Sequence, residues 1–253
     1  MKKLFIMLAC AMSLVALGNQ KPQKLPQSPQ AKTELSETHA IRHIEAANLL
    51  TNVESKVRDA AVKVYTPGGG HGSGGLIKYR GLQLILTAHH VTDGPLGQMY
   101  FVSAPGEAHR AILIYKDPLH DIALLYPLNE FEFYEPMKWK ITKKIAPVGH
   151  NITYSGYPSW HNLMSFRGHV AGYEVIPEAG QQIILQTYGF FGSSGSVVYD
   201  SEGRIVGVLW GVDVQRDGVH KNIIWVAPIQ NLDMGLALGA FCNSIVERPR
   251  ACR

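Results

Sequence analysis

From Ala61 onward the chain is a succession of short apolar runs, repeating at roughly ten-residue spacing and divided by Gly, Pro and Asp. Ala61–Tyr65, Leu76–Tyr79, Leu82–Leu86, Met99–Ser103, Ala111–Tyr115 and Ile122–Tyr126 form a first set. Asn151–Ser155, His169–Val175, Gln182–Gln186, Ser196–Tyr199, Arg204–Trp210 and Asn222–Ala227 form a second. Runs this short, bounded by turn residues, read as strands. They predict an all-β chain, an antiparallel sandwich or barrel. With 46% hydrophobic residues among 253, the chain suits one compact domain or two small halves sharing a core. The run Pro67–Gly75 contains six glycines and is expected to be a turn. It lacks a following Lys-Ser/Thr and leads into a strand, so it is no phosphate-binding loop.

The segments before Ala61 are of other kinds. Residues 1–18 pair Lys2 and Lys3 with the apolar run Leu4–Leu17 and the small residues Ala16 and Gly18, the form of an export signal. That apolar run is shorter than the roughly 20 residues needed to span a bilayer, so no stable membrane span is expected once the signal is removed. An uncleaved anchor, or lipid attachment at Cys10, are the alternatives. Residues 19–35, rich in Gln, Pro and Lys, are expected to be a disordered spacer. Residues 36–52 carry Ile41, Ile44, Leu49 and Leu50 at helical spacing and are expected to form an amphipathic helix. The main domain is placed at 53–235 and a C-terminal tail at 236–253. A periplasmic or secreted location follows. Cys242 and Cys252 would then pair in the tail, the alternative being two free thiols.

The formal charge of +4 falls to +2 without Lys2 and Lys3. No basic stripe with interleaved aromatics accompanies it, so no nucleic-acid partner is expected. No Cys/His spacing suggests a metal site, and no cofactor is expected.

Three segments carry chemistry: Thr87-Ala88-His89-His90-Val91, Asp121-Ile122-Ala123-Leu124-Leu125 and Gly192-Ser193-Ser194-Gly195-Ser196. A serine hydroxyl needs a base to become a nucleophile at neutral pH, and histidine is suited to that role. A carboxylate on the other ring nitrogen fixes the tautomer and stabilises the imidazolium. Backbone N–H groups in a tight glycine turn can receive the oxyanion. Ser194 sits where such a turn can be built, with its own N–H and that of Gly192 as donors. Ser193 and Ser196 are expected to be structural. Of His89 and His90, one is expected to face solvent. Asp121, at the mouth of an apolar strand, is the expected carboxylate. Asp117 before Pro118 competes but reads as a turn residue.

Together these segments resemble the chymotrypsin-like serine proteases, in particular the bacterial branch with the high-temperature-requirement proteases and glutamyl endopeptidases. The resemblance spans roughly residues 53–232. It includes Gly72-Ser73-Gly74, Gly207-Val208-Leu209-Trp210-Gly211 and Ala227-Pro228-Ile229. It implies two six-stranded antiparallel barrels, preceded here by the N-terminal helix. It also implies His90 as base, Asp121 as its partner and Ser194 as nucleophile, acting on protein or peptide substrates. Leu209, Trp210 and Gly211 would pair with substrate backbone, and Tyr188 with Gly211 would line the pocket before the cut. No peptide-binding domain is expected after about residue 235, and the sequence leaves the oligomeric state open.

The departures are informative. Tyr188 stands where trypsin keeps its specificity aspartate, and Leu209 where glutamyl endopeptidases keep a histidine. Ser193 replaces the aspartate that pairs with a newly cut N-terminus, so activation of that kind is not expected. A small or apolar residue before the cut is the expectation, with Asp213 the nearest charge. The alternatives are a catalytically silent binding protein on the same fold, a viral-type processing protease and an esterase. The order His, Asp, Ser and the absence of a strand-to-helix elbow argue against the last.

Overall fold

The computed structural model describes residues 49–215 and 218–244. The expected signal, the spacer and the expected helix up to residue 48 lie outside them. Residues 49–51 are not helical, which corrects the expected span of 36–52. Thr51 is extended (φ −65°, ψ 164°) and caps a separate helix, α1, Asn52–Asp59. Its hydroxyl accepts the Glu54 N–H at 3.2 Å, while the Glu54 carboxylate accepts the Thr51 N–H at 2.7 Å. This reciprocal box satisfies two otherwise orphaned donors and fixes the helix start.

Strands β1 (Ala61–Tyr65), β2 (His71–Tyr79), β3 (Leu82–Thr87), β4 (Met99–Ala104), β5 (Glu107–Asp117) and β6 (Ile122–Pro127) follow. They hydrogen-bond in the order β1-β4-β5-β6-β3-β2, and a β1–β2 pairing closes the first barrel. A short β7 (Met137–Lys138) adds in parallel to the far end of β2. The second barrel holds β8 (Asn151–Gly156), β9 (Met164–Ile176), β10 (Gly180–Gln186), β11 (Val197–Asp200), β12 (Ile205–Gln215) and β13 (Gly218–Pro228). It closes in the order β10-β13-β12-β11-β8-β9. The expected pair of six-stranded antiparallel barrels is present.

Leu84, Ile85, Leu86, Leu124 and Leu125 are wholly buried in the first barrel, and Val170, Ile183, Leu185 and Val226 in the second. Removing each such side chain from water contributes roughly 1.5–3 kcal/mol.

Gly72–Gly75 lie within β2, not in a turn; the turn ends at Gly70. The reason is close approach. A Cβ on Gly72 would lie 2.5 Å from Val91 Cγ2 and 2.9 Å from the Ser194 carbonyl oxygen, and one on Gly75 2.7 Å from Val197. The strand needs glycine because the second barrel presses on it.

Each barrel is also strapped by an element beyond the other. Helix α1, which precedes the first barrel, packs on β8 and β9. There Glu54 pairs with Arg167, and Arg58 donates to Ser165 Oγ at 3.1 Å. Helix α2 (Met234–Ser244), which follows the second barrel, returns to β5 of the first. Phe241 meets the ring of Tyr126 at 5.1 Å, and Ala237, Leu238 and Cys242 are buried in the same core. The tail expected from residue 236 is therefore helical and packed up to Ser244. Cys242 is disulfide-bonded, and Cys252, its expected partner, lies outside the described residues. No helix among the described residues is long and apolar enough to cross a membrane.

Candidate functional site

His90 lies in a single 3-10 turn, His89–Thr92, that leaves the end of β3. Asp121 sits immediately before β6, the strand that pairs with β3, so the ladder brings the two side by side. Asp121 has φ +55°, a left-handed conformation that Asp tolerates better than most residues. Its Oδ2 accepts from His90 Nδ1 at 2.6 Å and its Oδ1 from the His90 backbone N–H at 2.8 Å. Its carbonyl accepts the His89 N–H at 3.2 Å. Asp117 is elsewhere engaged: it caps Leu119 and His120 and pairs with His120 Nδ1 at 2.6 Å.

Of the two histidines, one faces solvent and the other is half-buried. His90 is the open one, its side chain 46% exposed, with Nδ1 rather than Nε2 engaged by Asp121. His89 is half-buried, and its Nδ1 has no hydrogen-bond partner among the described residues.

The Gly-Ser turn comes from the second barrel, just ahead of β11. Gly192 and Gly195 both have left-handed backbones, φ +93° and +90°. A Cβ on Gly192 would meet the Tyr157 carbonyl at 2.5 Å and His71 Nε2 at 2.7 Å; one on Gly195 would collide with the Ser73 carbonyl and Thr87 Oγ1. Nearly every peptide group of the turn is committed. The Phe191 carbonyl accepts from Ser159 N–H (2.7 Å), the Ser193 carbonyl from Ser196 N–H (3.0 Å) and the Ser194 carbonyl from Ser73 N–H (2.7 Å). The Gly192 carbonyl accepts from Ser73 Oγ at 2.7 Å. Ser193 N–H donates to the Phe190 carbonyl and Gly195 N–H to the Leu209 carbonyl. Among the described residues, the N–H groups of Gly192 and Ser194 are the two within Gly192–Ser196 that have no acceptor. In a trans peptide the N–H points opposite its own carbonyl. Tying the Phe191 and Ser193 carbonyls back into the protein therefore turns these two donors outward.

The Ser194 hydroxyl donates to the Trp210 carbonyl at 3.3 Å and makes no hydrogen bond to His90. The segments bearing His90 and Ser194 nevertheless converge on Gly72, where an added Cβ would meet both Val91 and the Ser194 carbonyl. Ser193 is fully buried, its Oγ accepting from Phe190 N–H at 3.3 Å. Ser196 is also buried, its Oγ without a partner among the described residues.

The residues expected to meet substrate separate into two groups. Leu209 turns its side chain into the second core, 1% exposed, and its N–H and carbonyl already serve Ser196 and Gly195. It offers the cleft neither side chain nor backbone, because alternation along β12 points it inward. Trp210 is the extra residue of a bulge between Leu209 and Gly211. Its indole donates to Gln182 Oε1 at 3.1 Å and packs 5.6 Å from Trp225. Gly211 has open space where a side chain would be. Tyr188 is 42% exposed, stacks on Phe166 at 5.5 Å, and its carbonyl accepts the Tyr154 hydroxyl. Burial pushes the Tyr154 hydroxyl pKa well up, so it stays a donor there. Asp213 is engaged by His220 at 3.4 Å and by Gln215 at 2.8 Å.

Sequence reasoning missed His71 and Ser73. His71 packs on Trp160 with the rings tilted and their centroids 4.3 Å apart, and its Nε2 lies 2.8 Å from the Tyr157 carbonyl; burial depresses its pKa. Ser73 was visible only as part of a glycine-rich motif.

The profile of the trypsin-like peptidase domain matches residues 72–208. Two solved structures of Rv3671c are similar in fold. One, from M. tuberculosis H37Rv, is the inactive form of a serine-to-alanine mutant: 18% identity, 79% of this chain and 96% of that chain covered, TM-score 0.60. The other, the inactive form of the Rv3671c protease, has 18% identity, 76% and 91% coverage and TM-score 0.56. No curated protein matches the chain. With its two closed barrels and a family match over more than half its length, the chain belongs to the trypsin-like peptidases, the chymotrypsin-like serine hydrolases.

Proposed function

We propose that the protein is an exported serine endopeptidase using His90, Asp121 and Ser194. The observation that carries this reading is that, among the described residues, the Gly192 and Ser194 N–H groups are the peptide donors of Gly192–Ser196 left without an acceptor. Donors fixed before the reaction stabilise a developing charge without reorganisation, each worth about 3 kcal/mol.

The Ser194 hydroxyl leaves the Trp210 carbonyl and turns to His90 Nε2. Its proton passes to that nitrogen as Oγ bonds the substrate carbonyl carbon, and the carbonyl oxygen takes the negative charge between the two N–H groups. The imidazolium, held by Asp121, protonates the leaving amine as the C–N bond breaks. Water repeats the sequence on the acyl-enzyme, returning the proton to Ser194. Trp210 and Gly211 would pair with substrate backbone. Tyr188, in place of a carboxylate, and the pairing of Asp213 with His220 favour a small or apolar residue before the cut. Export rests on residues 1–18 and puts the enzyme in the periplasm or outside the cell.

A silent binding protein is the second reading, favoured by the Ser194–Trp210 hydrogen bond in place of one to His90. The test separates them. A sulfonyl fluoride should label Ser194, and Ser194→Ala should abolish hydrolysis of labelled casein; retained hydrolysis in purified Ser194→Ala would falsify the triad.

A further inference from the structure

The geometry points to Ser73 as a positioning residue that sets the oxyanion donors from the opposite barrel, an inference that rests on the reading above. Ser73 is on β2 of the first barrel and is wholly buried. Four of its hydrogen bonds reach the site. Its N–H donates to the Ser194 carbonyl at 2.7 Å. Its hydroxyl accepts the Tyr157 N–H at 2.9 Å and donates to the Gly192 carbonyl at 2.7 Å. Its carbonyl accepts Thr87 Oγ1 at 2.7 Å, on the strand that leads to His90. A hydroxyl has one proton. Because the Tyr157 amide can only donate, the Ser73 proton must point at Gly192, and the direction of the relay is fixed.

The hydroxyl acts on both ends of one peptide, Phe191–Gly192, whose N–H is one of the two free donors. At the Gly192 end it holds the carbonyl that follows. At the Phe191 end it acts through Tyr157. Anchoring the Tyr157 amide positions the turn Pro158–Trp160, whose Ser159 N–H holds the Phe191 carbonyl at 2.7 Å. That turn is strained: Ser159 and Trp160 have φ +49° and +65°, a region side-chain-bearing residues enter at a cost. Without the anchor the turn can relax and the Phe191–Gly192 peptide can rotate its N–H out of the site. The Ser73 backbone bond to Ser194 would survive, so the second donor would remain. Ground-state contacts along Trp210 and Gly211 involve β12 and are untouched.

The experiment uses the full chain with a fluorogenic peptide selected from a library by the wild-type protein. It also uses the matching peptide aldehyde, whose hemiacetal oxygen occupies the position of the oxyanion. Removing one such donor outright costs about 100- to 1000-fold in kcat. Loosening it should cost about 10- to 100-fold. Ser73→Ala is expected to lower kcat by that factor with KM within twofold, and to weaken aldehyde inhibition in parallel. Ser73→Cys keeps the bulk but donates weakly, and carries the same test should the alanine variant not fold. A folded variant with kcat and aldehyde affinity within twofold of wild type overturns the inference. So does a loss confined to KM. Failure of the triad itself would show separately, as hydrolysis surviving Ser194→Ala.

Discussion

Asp121 holds His90 twice, through ring Nδ1 at 2.6 Å and through the backbone N–H at 2.8 Å. One oxygen sets where the residue stands, and the other sets which ring nitrogen carries the proton. Asp121→Asn should keep the first bond, with the amide oxygen on the backbone N–H. The amide NH2 would then face Nδ1 and force the proton onto Nε2, where it cannot accept from Ser194. The expected result is a kcat lower by about 10⁴-fold with stability little changed, measured by turnover alongside thermal unfolding. A loss below tenfold in folded protein would remove Asp121 from the mechanism.

Gly192 and Gly195 should respond differently to alanine. At Gly192 the new Cβ meets a carbonyl and an imidazole at 2.5 and 2.7 Å, at φ +93°. The turn can shift, at the expense of the donor. Gly192→Ala is therefore expected to fold and to lose about 100-fold or more in kcat. At Gly195 the Cβ would strike the Ser73 carbonyl, which belongs to a buried strand of the other barrel. Gly195→Ala is expected to lose several kcal/mol and to give little folded protein. Expression and circular dichroism of the pair provide the comparison.

How far the sequence could be read follows from where the forces act. The strands with alternating or wholly apolar runs, such as Ile122–Tyr126, are specified locally and were legible. The ends of β12 and β13 were not, because Asp213–Gln215 and Gly218–His220 each carry a single valine between polar or glycine residues and pair only with each other. Gly72–Gly75 has the composition of a turn and is a strand, since the second barrel demands close approach there. Met234–Ser244 lacks a clean polar face, as Leu236 is exposed while Ala237 and Leu238 are buried, so helical periodicity could not announce it. The Thr51–Glu54 box was in the sequence and went unread. At the site, the residue types and order were legible. The choice between His89 and His90 needed the family resemblance, and the role of Ser73 needed contacts 84 to 121 residues away in sequence.

Glu54 gives a pH signature for the strap between α1 and the second barrel. The hydrogen bond from Arg167 pulls its carboxyl from 4.5 to about 2, against the opposing effect of burial. A depressed carboxylate pKa stabilises the fold fully above the unfolded value, and that stabilisation is lost as pH falls through the folded value. Glu54→Gln keeps a side-chain acceptor for the Thr51 N–H but loses the charge. Its Tm should lie roughly 2–4 °C below wild type from neutral pH down to about 5. The gap should shrink between about 4.5 and 2 and vanish below. A gap independent of pH would mean the pair contributes shape and not charge.

Specificity should follow the fate of the charges near Tyr188. Arg or Lys before the cut would need a free carboxylate, and Asp213, the one carried by β12 after Gly211, is already bound by His220 and Gln215. Glu would need a cation or a neutral donor at the wall; Leu209 has its side chain in the core, and the Lys221 ammonium, the cation of that region, lies over the Phe190 ring at 4.6 Å. What remains is the half-exposed ring of Tyr188 and the open face of Gly211. That surface offers apolar area and no ion pair, so discrimination should be modest, about 1–3 kcal/mol per methylene-sized difference in fit. Peptide-library profiling is expected to show graded preference for small and apolar residues and no tenfold preference for any charged one. Tyr188→Asp places a carboxylate in that open space and should raise cleavage after Arg and Lys relative to Leu. A wild-type profile dominated by Arg, Lys or Glu would mean that the cleft recruits a charge from outside Tyr188, Gly211 and Asp213.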